Sequence, residues 1–365
     1  MDVTIKNLFT DIPDPRIDRT KKHPLESILY IVLCGTMAGI DSWIGYQDYA
    51  EEHEEVLKQF IDLPNGPPSH DTIARVISAL DVEAFQATFE AFAQKLAERV
   101  KGIIALDGKT MRGSFDSKKE VKARHIVSAW AQGCRLVLGQ EKVDDKSNEI
   151  TAIPELLKRI DVLGNVITID AMGCQREICQ VLVEKGGDYV ISLKGNQGTL
   201  HKDVRLFFEN QFSTFEQTWE EWDKEHGRIE HRLCKATSDI AWLQEQHQWP
   251  GLKTIAAVYS SRETYKGKQE EVRYYIASLS CNAECIAKAA RAHWGIENSL
   301  HWVLDVTMNE DQSRTRNENA PEILTMMRKW GLNIINQHKG KLSVSRMIKK
   351  MAMSPKNLIQ ILSKI

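Results

Sequence analysis

Three acidic side chains occupy positions from which a chain can do chemistry. "IIALDG" places Asp107 at the end of an apolar run, just before a glycine, and "VITIDAMG" places Asp170 at the end of another. Strand ends in α/β sheets open onto the crevice where ligands bind; either aspartate could instead cap a turn. The third is Glu297, in "RAHWGIENSLHWVLDVTMNED" (Arg291–Asp311). Read as a helix, that stretch puts His293, Glu297 and His301 on one face, because residues four apart are neighbours. Three carboxylates brought together raise one another's pKa unless a cation neutralises them. Hard oxygen donors at a site with open positions suit Mg2+ or Mn2+. Two such ions, about 3.5–4 Å apart, clamp the attacking and leaving oxygens of an in-line phosphoryl displacement, so no serine or cysteine nucleophile is needed. Zinc is the rival ligand for the helix, but zinc helices place two histidines four apart and His293 and His301 stand eight apart.

These side chains need elements to position them. Residues 1–98 read as a helical N-terminal region: an apolar run follows Pro24, "SHDTIARVISAL" (Ser69–Leu80) offers a cap and a helical period, and Asp81–Val100 continues it. With Thr72 and Arg75 exposed, the short helix after the "NGPPSH" break could read DNA as a helix-turn-helix does, or belong to a plain helical bundle. After Lys101 the period changes. Gly102–Gly108, Arg124–Ala131 and Cys134–Val143 are β-rich runs with short gaps, as in an antiparallel meander. A helix (Ala152–Asp161), a strand (Asn165–Gly173), a helix (Gln175–Gly186) and a strand (Asp188–Gly195) follow, describing a mixed sheet flanked by helices over 99–322. A β-rich insertion at about 201–285 interrupts it, with strands in "TIAAVYSSRETY" and "RYYIASLS". Residues 323–365 form a basic helical C-terminal tail.

The 365 residues carry a net charge of −2, which excludes a generally basic nucleic-acid coat. The charges are segregated, however. No acid occurs after Glu322, while Arg328, Lys329, Lys339, Lys341, Arg346, Lys349, Lys350, Lys356 and Lys364 do. Arg16, Arg19, Lys21 and Lys22 form a second cluster, and Lys109, Arg112, Lys118, Lys119, Lys122 and Arg124 a third. Such clusters are either solvated helix faces or a footprint for a polyanion. The seven cysteines include no C-x-x-C pair, so zinc ribbons and a disulfide framework are not expected, and reduced thiols in a cytoplasm are. The N-terminus reads without a signal peptide, and the longest apolar stretch, Ser27–Ile40, is too short to span a bilayer, so no membrane is expected.

The chain resembles a DDE transposase of the IS4 superfamily, and most of all its ISAs1 group, which includes the H-repeat-associated proteins. The matching words are "IALDGKTMRGS" (Ile104–Ser114), "KSNEITAIPELL" (Lys146–Leu157), "TIDAMGCQ" (Thr168–Gln175), "GDYVISLKGNQG" (Gly187–Gly198), "HGRIEHR" (His226–Arg232), "VRYYIASL" (Val272–Leu279) and "HWGIENSLHWVLDVTMNED" (His293–Asp311), with "PDPR" and "HDTIARV" nearer the start. The resemblance spans nearly the whole chain. It implies an RNase H-like fold, Asp107, Asp170 and Glu297 as the metal triad, Mg2+ or Mn2+ as cofactor, and double-stranded DNA, both element ends and target, as partner. It also implies a homodimer on the DNA. One departure stands out. Where the wider superfamily has Tyr, Arg and Lys around the glutamate, this chain has Ala290, His293 and Leu304, leaving Arg291, Lys288 or Lys194 to supply a cation.

Candidate DNA contacts are Lys109, Arg112, Lys194, Asn196, Arg228, Arg291, His293, Trp294 and His301. Several carry a plainer alternative. Trp294 and Trp302 suit a core as well as a base-stacking platform. Asn196 and Gln197 suit a turn as well as a backbone contact. Asp305, Glu310 and Asp311 suit either a supporting acid or the surface. The reaction expected is metal-dependent strand cleavage followed by strand transfer of an insertion sequence. The alternatives are a nuclease that cuts without joining, and an inactive DNA-binding remnant.

Overall fold

The computed structural model describes residues 7–97, 101–115, 122–144, 147–210, 215–225, 228–265 and 267–364. Lys118, Lys119, Lys146 and His226 lie outside them. The N-terminal region is helical: α1 (Leu25–Met37), α2 (Trp43–Glu52), α3 (Glu54–Leu57), α4 (His70–Ala79) and α5 (Val82–Ala97). Ser42 and Ser69 cap α2 and α4 by accepting from the amides of Gly45 and Thr72, meeting the orphan donors of a helix start.

Nine strands form one sheet, in the order β3-β2-β1-β4-β5-β9-β8-β7-β6. β1 (Ile103–Met111), β2 (Arg124–Ala131) and β3 (Leu136–Val143) are the expected antiparallel meander. β4 (Val166–Ile169) lies parallel to β1 after the helix α6 (Glu149–Arg159), and β5 (Asp188–Leu193) lies parallel to β4 after α7 (Arg176–Glu184). That mixed five-stranded core flanked by helices is RNase H-like. The insertion adds α8 (Gly198–Glu209), β6 (Gln217–Glu225), β7 (Arg228–Thr237), α9 (Ala241–His247), β8 (Thr254–Thr264) and β9 (Gly267–Ala277). Its strands extend the same sheet, because β9 pairs antiparallel with β5. Then come α10 (Ala283–Ile296), α11 (Ala320–His338), α12 (Val344–Met353) and α13 (Pro355–Leu362).

The period-2 alternation of β1 divides the molecule. Ile104 and Leu106 pack with α6 and α7 on one face of the sheet. Ala105 points the other way, into a core shared by α1, α2, α4, α5 and the C-terminal helices. Trp330 of α11 is fully buried there among Phe9, Phe85, Phe89 and Phe92, with ring centroids 5.1, 5.7, 5.6 and 5.3 Å away. The tail therefore packs on the N-terminal helices. Two of its basic residues depart from the surface expected of them: Arg328 and Lys329 are each 3% exposed. The Arg328 Nε donates to the Met308 carbonyl, and the Lys329 Nζ to Ser128 Oγ and Gln140 Oε1.

Candidate active site

Register brings the first two carboxylates level. Leu106 of β1 pairs with Ile169, the last residue of β4, so Asp107 and Asp170 come next on neighbouring parallel strands. Asp107 is not at a strand end, as its glycine neighbour suggested. β1 runs on to Met111 because β2 continues to pair with it, Asp107 opposite Ser128. What ends there is β4, which leaves the flank of β1 open at Asp107. Asp170 does cap a turn: its Oδ1 accepts from the amides of Met172 and Gly173, at 2.9 and 3.2 Å. Asn196 braces the same turn, its Nδ2 donating to the Ala171 carbonyl at 2.6 Å.

The third carboxylate arrives on α10, which is capped by Asn282 and ends at Ile296. From Glu297 the winding widens to a π-helix, over Glu297–His301 and again Val303–Thr307; the Trp302 amide reaches back to the Glu297 carbonyl. Such wide turns recur at functional sites. They also mean that the four-residue spacing no longer fixes the face beyond Glu297. His293 turns to β4, its Nδ1 3.3 Å from Thr168 Oγ1. His301 turns to β1, its Nδ1 3.4 Å from Asp107 Oδ2.

Asp107, Asp170 and Glu297 line one cavity of about 250 Å3, together with Lys194, Arg273, His293 and Trp294. Burial, and then the charges of Glu149, Asp170 and Glu297, push the Asp107 carboxyl up to about 7. Burial pushes the His301 imidazole down to about 3, with Lys329 and Lys109 acting in the same direction, and burial also lowers His293. The rings beside the carboxylates are therefore neutral at pH 7, and the acids exceed the cations among the lining groups. An excess of carboxylate oxygen is the donor set that suits a hard divalent cation. Among the described residues, no three carboxylate, imidazole or thiol groups already stand close enough to share one ion.

Two residues with a place here carried no role in the sequence. Glu149, the first residue of α6, sits over Gly108, and its Oε1 is 2.7 Å from His125 Nε2. It lies in a word that marked the resemblance, but nothing local aimed it at Asp107. Arg273 of β9 lines the cavity and stacks over the Trp294 ring at 4.7 Å. Its position follows from β9 pairing with β5, which no local signal announces.

The other candidates separate clearly. A groove of about 1250 Å3, walled by β7, β8, β9 and α10, holds Arg228, Arg291 and Trp294, and it meets the cavity at Arg273, Tyr275, Ala290 and Trp294. Lys194 opens on the cavity, and Arg112, the residue that follows β1, is exposed. Lys109 is turned inward, with Asp305 Oδ1 at 2.6 Å and Glu310 Oε2 at 2.7 Å. His301 is likewise inward, its side chain 12% exposed. Of the departures from the superfamily pattern, Ala290 lines the cavity and Leu304 is buried. Among the described residues no helix is long and apolar enough to cross a membrane.

Comparison with known proteins shows the family. Residues 98–334 match the family model described as "Transposase DDE domain", and residues 6–93 the model described as "DDE_Tnp_1-associated". The chain is 44% identical over 352 residues to "Putative transposase YncI" of Escherichia coli O157:H7, covering 94% of this chain and 90% of that one. It is 40% identical over 367 residues to "H repeat-associated putative transposase YhhI" of Escherichia coli K12, covering 96% of each. Similarity to "Inactive transposase YbfQ" of the same strain covers only 66 residues, 18% of this chain. An RNase H-like sheet with acids on adjoining strands, and matches across both regions, lead to one assignment: the chain belongs to the DDE transposases, of the IS4 type.

Proposed function

We propose that this transposase cleaves a DNA strand at the ends of its own element and joins the freed 3′-hydroxyl to target DNA, with Asp107, Asp170 and Glu297 as the catalytic carboxylates. The observation that carries the reading is their convergence, from a strand, a strand end and a helix end, on one cavity. The three would hold Mg2+ or Mn2+, which supplies activation of the attacking oxygen and stabilisation of the leaving one. The residues of the chain do the rest. Asp170, fixed through Oδ1 by its turn, keeps Oδ2 free for the cavity. Lys194 and Arg273 meet phosphate oxygens at the cavity wall, taking the part of the cation missing at His293. The groove along β7–β9 and α10 carries the DNA strand to the cavity, with Arg228 and Arg291 on its wall. Both ends are cut together, so the working form is a dimer on DNA.

The test is a cleavage assay on a duplex carrying an element end, with Mg2+ or Mn2+. Asp107→Ala, Asp170→Ala and Glu297→Ala each abolish cleavage, while binding measured by gel shift stays within about threefold. A chelator stops the wild type and added metal restores it. Cleavage at the wild-type rate in any of the three variants removes that residue from the mechanism. Pre-cut ends offered with a target plasmid separate transfer from mere hydrolysis: absence of joined product favours a nuclease.

A further inference from the structure

His301 stands beside Asp107, with Nδ1 3.4 Å from Oδ2. We infer that His301 is a positioning residue whose Nδ1–H holds Oδ2 of Asp107 so that the carboxylate faces the cavity in one orientation. The inference rests on the reading of Asp107 as a catalytic, cation-holding residue.

Three observations support it. First, the ring is inaccessible to DNA: its side chain is 12% exposed, and it lies among Asp107, Lys109, His125, Glu310 and Lys329. Second, the loaded site selects a tautomer. With a cation bound, Asp107 is ionised and only accepts, so the nitrogen facing it then carries the proton and the other bears a lone pair. Nε2 is buried and has no hydrogen-bond partner, as suits an acceptor lying near two ammonium groups. Third, the π-helical winding that begins at Glu297 is what aims residue 301 at β1. The same turn thus delivers a carboxylate to the cavity and a donor to the carboxylate opposite. At 3.4 Å the contact is longer than a good hydrogen bond. Catalytic contacts of this kind shorten when the site is loaded.

The orientation has a purpose. Asp107 is surrounded by the like charges of Asp170 and Glu297 in the cavity and of Glu149 behind β1, which disfavour its ionised form. A donor on Oδ2 favours the ionised form and holds it in one orientation. Partners of this kind fix ligand geometry in metal sites, and their loss lowers metal affinity about 10–100-fold.

The experiment is Mn2+ titration of the full-length, DNA-free protein, followed by calorimetry and by the Mn2+ spin resonance signal. The amide nitrogen of asparagine falls where Nδ1 stands, and that of glutamine where Nε2 stands. His301→Asn should therefore keep Mn2+ affinity within about threefold, while His301→Gln and His301→Leu lose about 10–100-fold. Thermal melts confirm that each variant is folded, and the Asn–Gln comparison stands whether or not the leucine variant folds. Wild-type affinity in His301→Gln, or equal losses in His301→Asn and His301→Gln, overturns the inference. Asp107→Ala is the control on the underlying reading. If it binds Mn2+ as the wild type does, the carboxylate site itself is wrong; if it loses Mn2+ while His301→Gln does not, only the role of His301 fails.

Discussion

Lys109 of β1 and Glu310, in the segment between α10 and α11, form a buried ion pair, with Nζ 2.7 Å from Oε2 and the two side chains 10% and 1% exposed. Asp305 Oδ1 and Asp311 Oδ1 join it at 2.6 and 3.6 Å. Burial works to raise the pKa of Glu310, but Lys109, Arg328 and Lys329 hold it below the usual range. Thr325 of α11 donates to the other oxygen of Glu310. The pair ties the strand just beyond Asp107 to the segment just beyond Glu297, and so fixes two of the cavity carboxylates relative to each other. Lys109→Met leaves Glu310 buried without its ion-pair partner. It should cost about 3–5 kcal/mol of stability, read from urea denaturation. A loss under about 1 kcal/mol would show that the network tolerates the missing charge.

Gly108 is required by what lies over it. A Cβ there would stand 2.2 Å from Glu149 Oε1 and 2.4 Å from His125 Nε2, the two atoms of the pair that braces the far side of β1. Gly108→Ala must push that pair apart, at about 1–3 kcal/mol for overpacking. In a His125→Ala background the penalty should shrink, because the space is vacated. Equal melting-temperature losses in both backgrounds would mean that the strain is relieved elsewhere.

Arg273 stands where the groove meets the cavity. If it contacts a phosphate, Arg273→Ala should weaken DNA binding and reduce the slope of log affinity against log salt by about 0.9. Arg273→Lys should recover the slope but not the full affinity, because an ammonium lacks the paired donors of guanidinium and packs less well over Trp294. Fluorescence anisotropy across a salt series measures both; an unchanged slope in the alanine variant removes Arg273 from the interface.

Lys329 is fully enclosed, and burial brings its ammonium down to about 7. In the unfolded chain the same group titrates near about 10.4. Between those values the unfolded state binds more protons, so this group's contribution to stability rises with pH, by up to about 1.4 kcal/mol per unit. Relative to Lys329→Met, the wild type should therefore gain stability from pH 7 to pH 9. Parallel pH profiles for the two proteins would show that Lys329 keeps its proton in the fold.

Much of this was legible in the chain. The change from helical to alternating periodicity at Lys101 is local chemistry, and so are the strands of the meander and the αβαβ run that follows. The cap at Ser69 is local too. The acids Asp107, Asp170 and Glu297 stood out because of what surrounds them in sequence. β6 and β7 were harder to read: "QTWEEWDKE" and "RIEHRLCKAT" carry charge on both faces, as strands near an open sheet edge can. The basic tail was misleading at Arg328 and Lys329, since a lysine written in a helix does not say whether Glu310 waits beside it.

The sequence by itself determined the period of each element, and with it the face each side chain of β1 would take: Ala105, Asp107 and Lys109 one way, Gly108 the other. Only the tertiary structure decided what stands on those faces. β4 stops level with Leu106, α10 widens at Glu297, and β9 closes on β5, so partners from distant parts of the chain reach Asp107, Lys109 and the cavity wall. The reason is physical. Periodicity is written by neighbours a few residues apart, whereas an ion pair such as Lys109–Glu310, or a contact such as His301–Asp107, exists only once packing has removed the water and brought the two segments together.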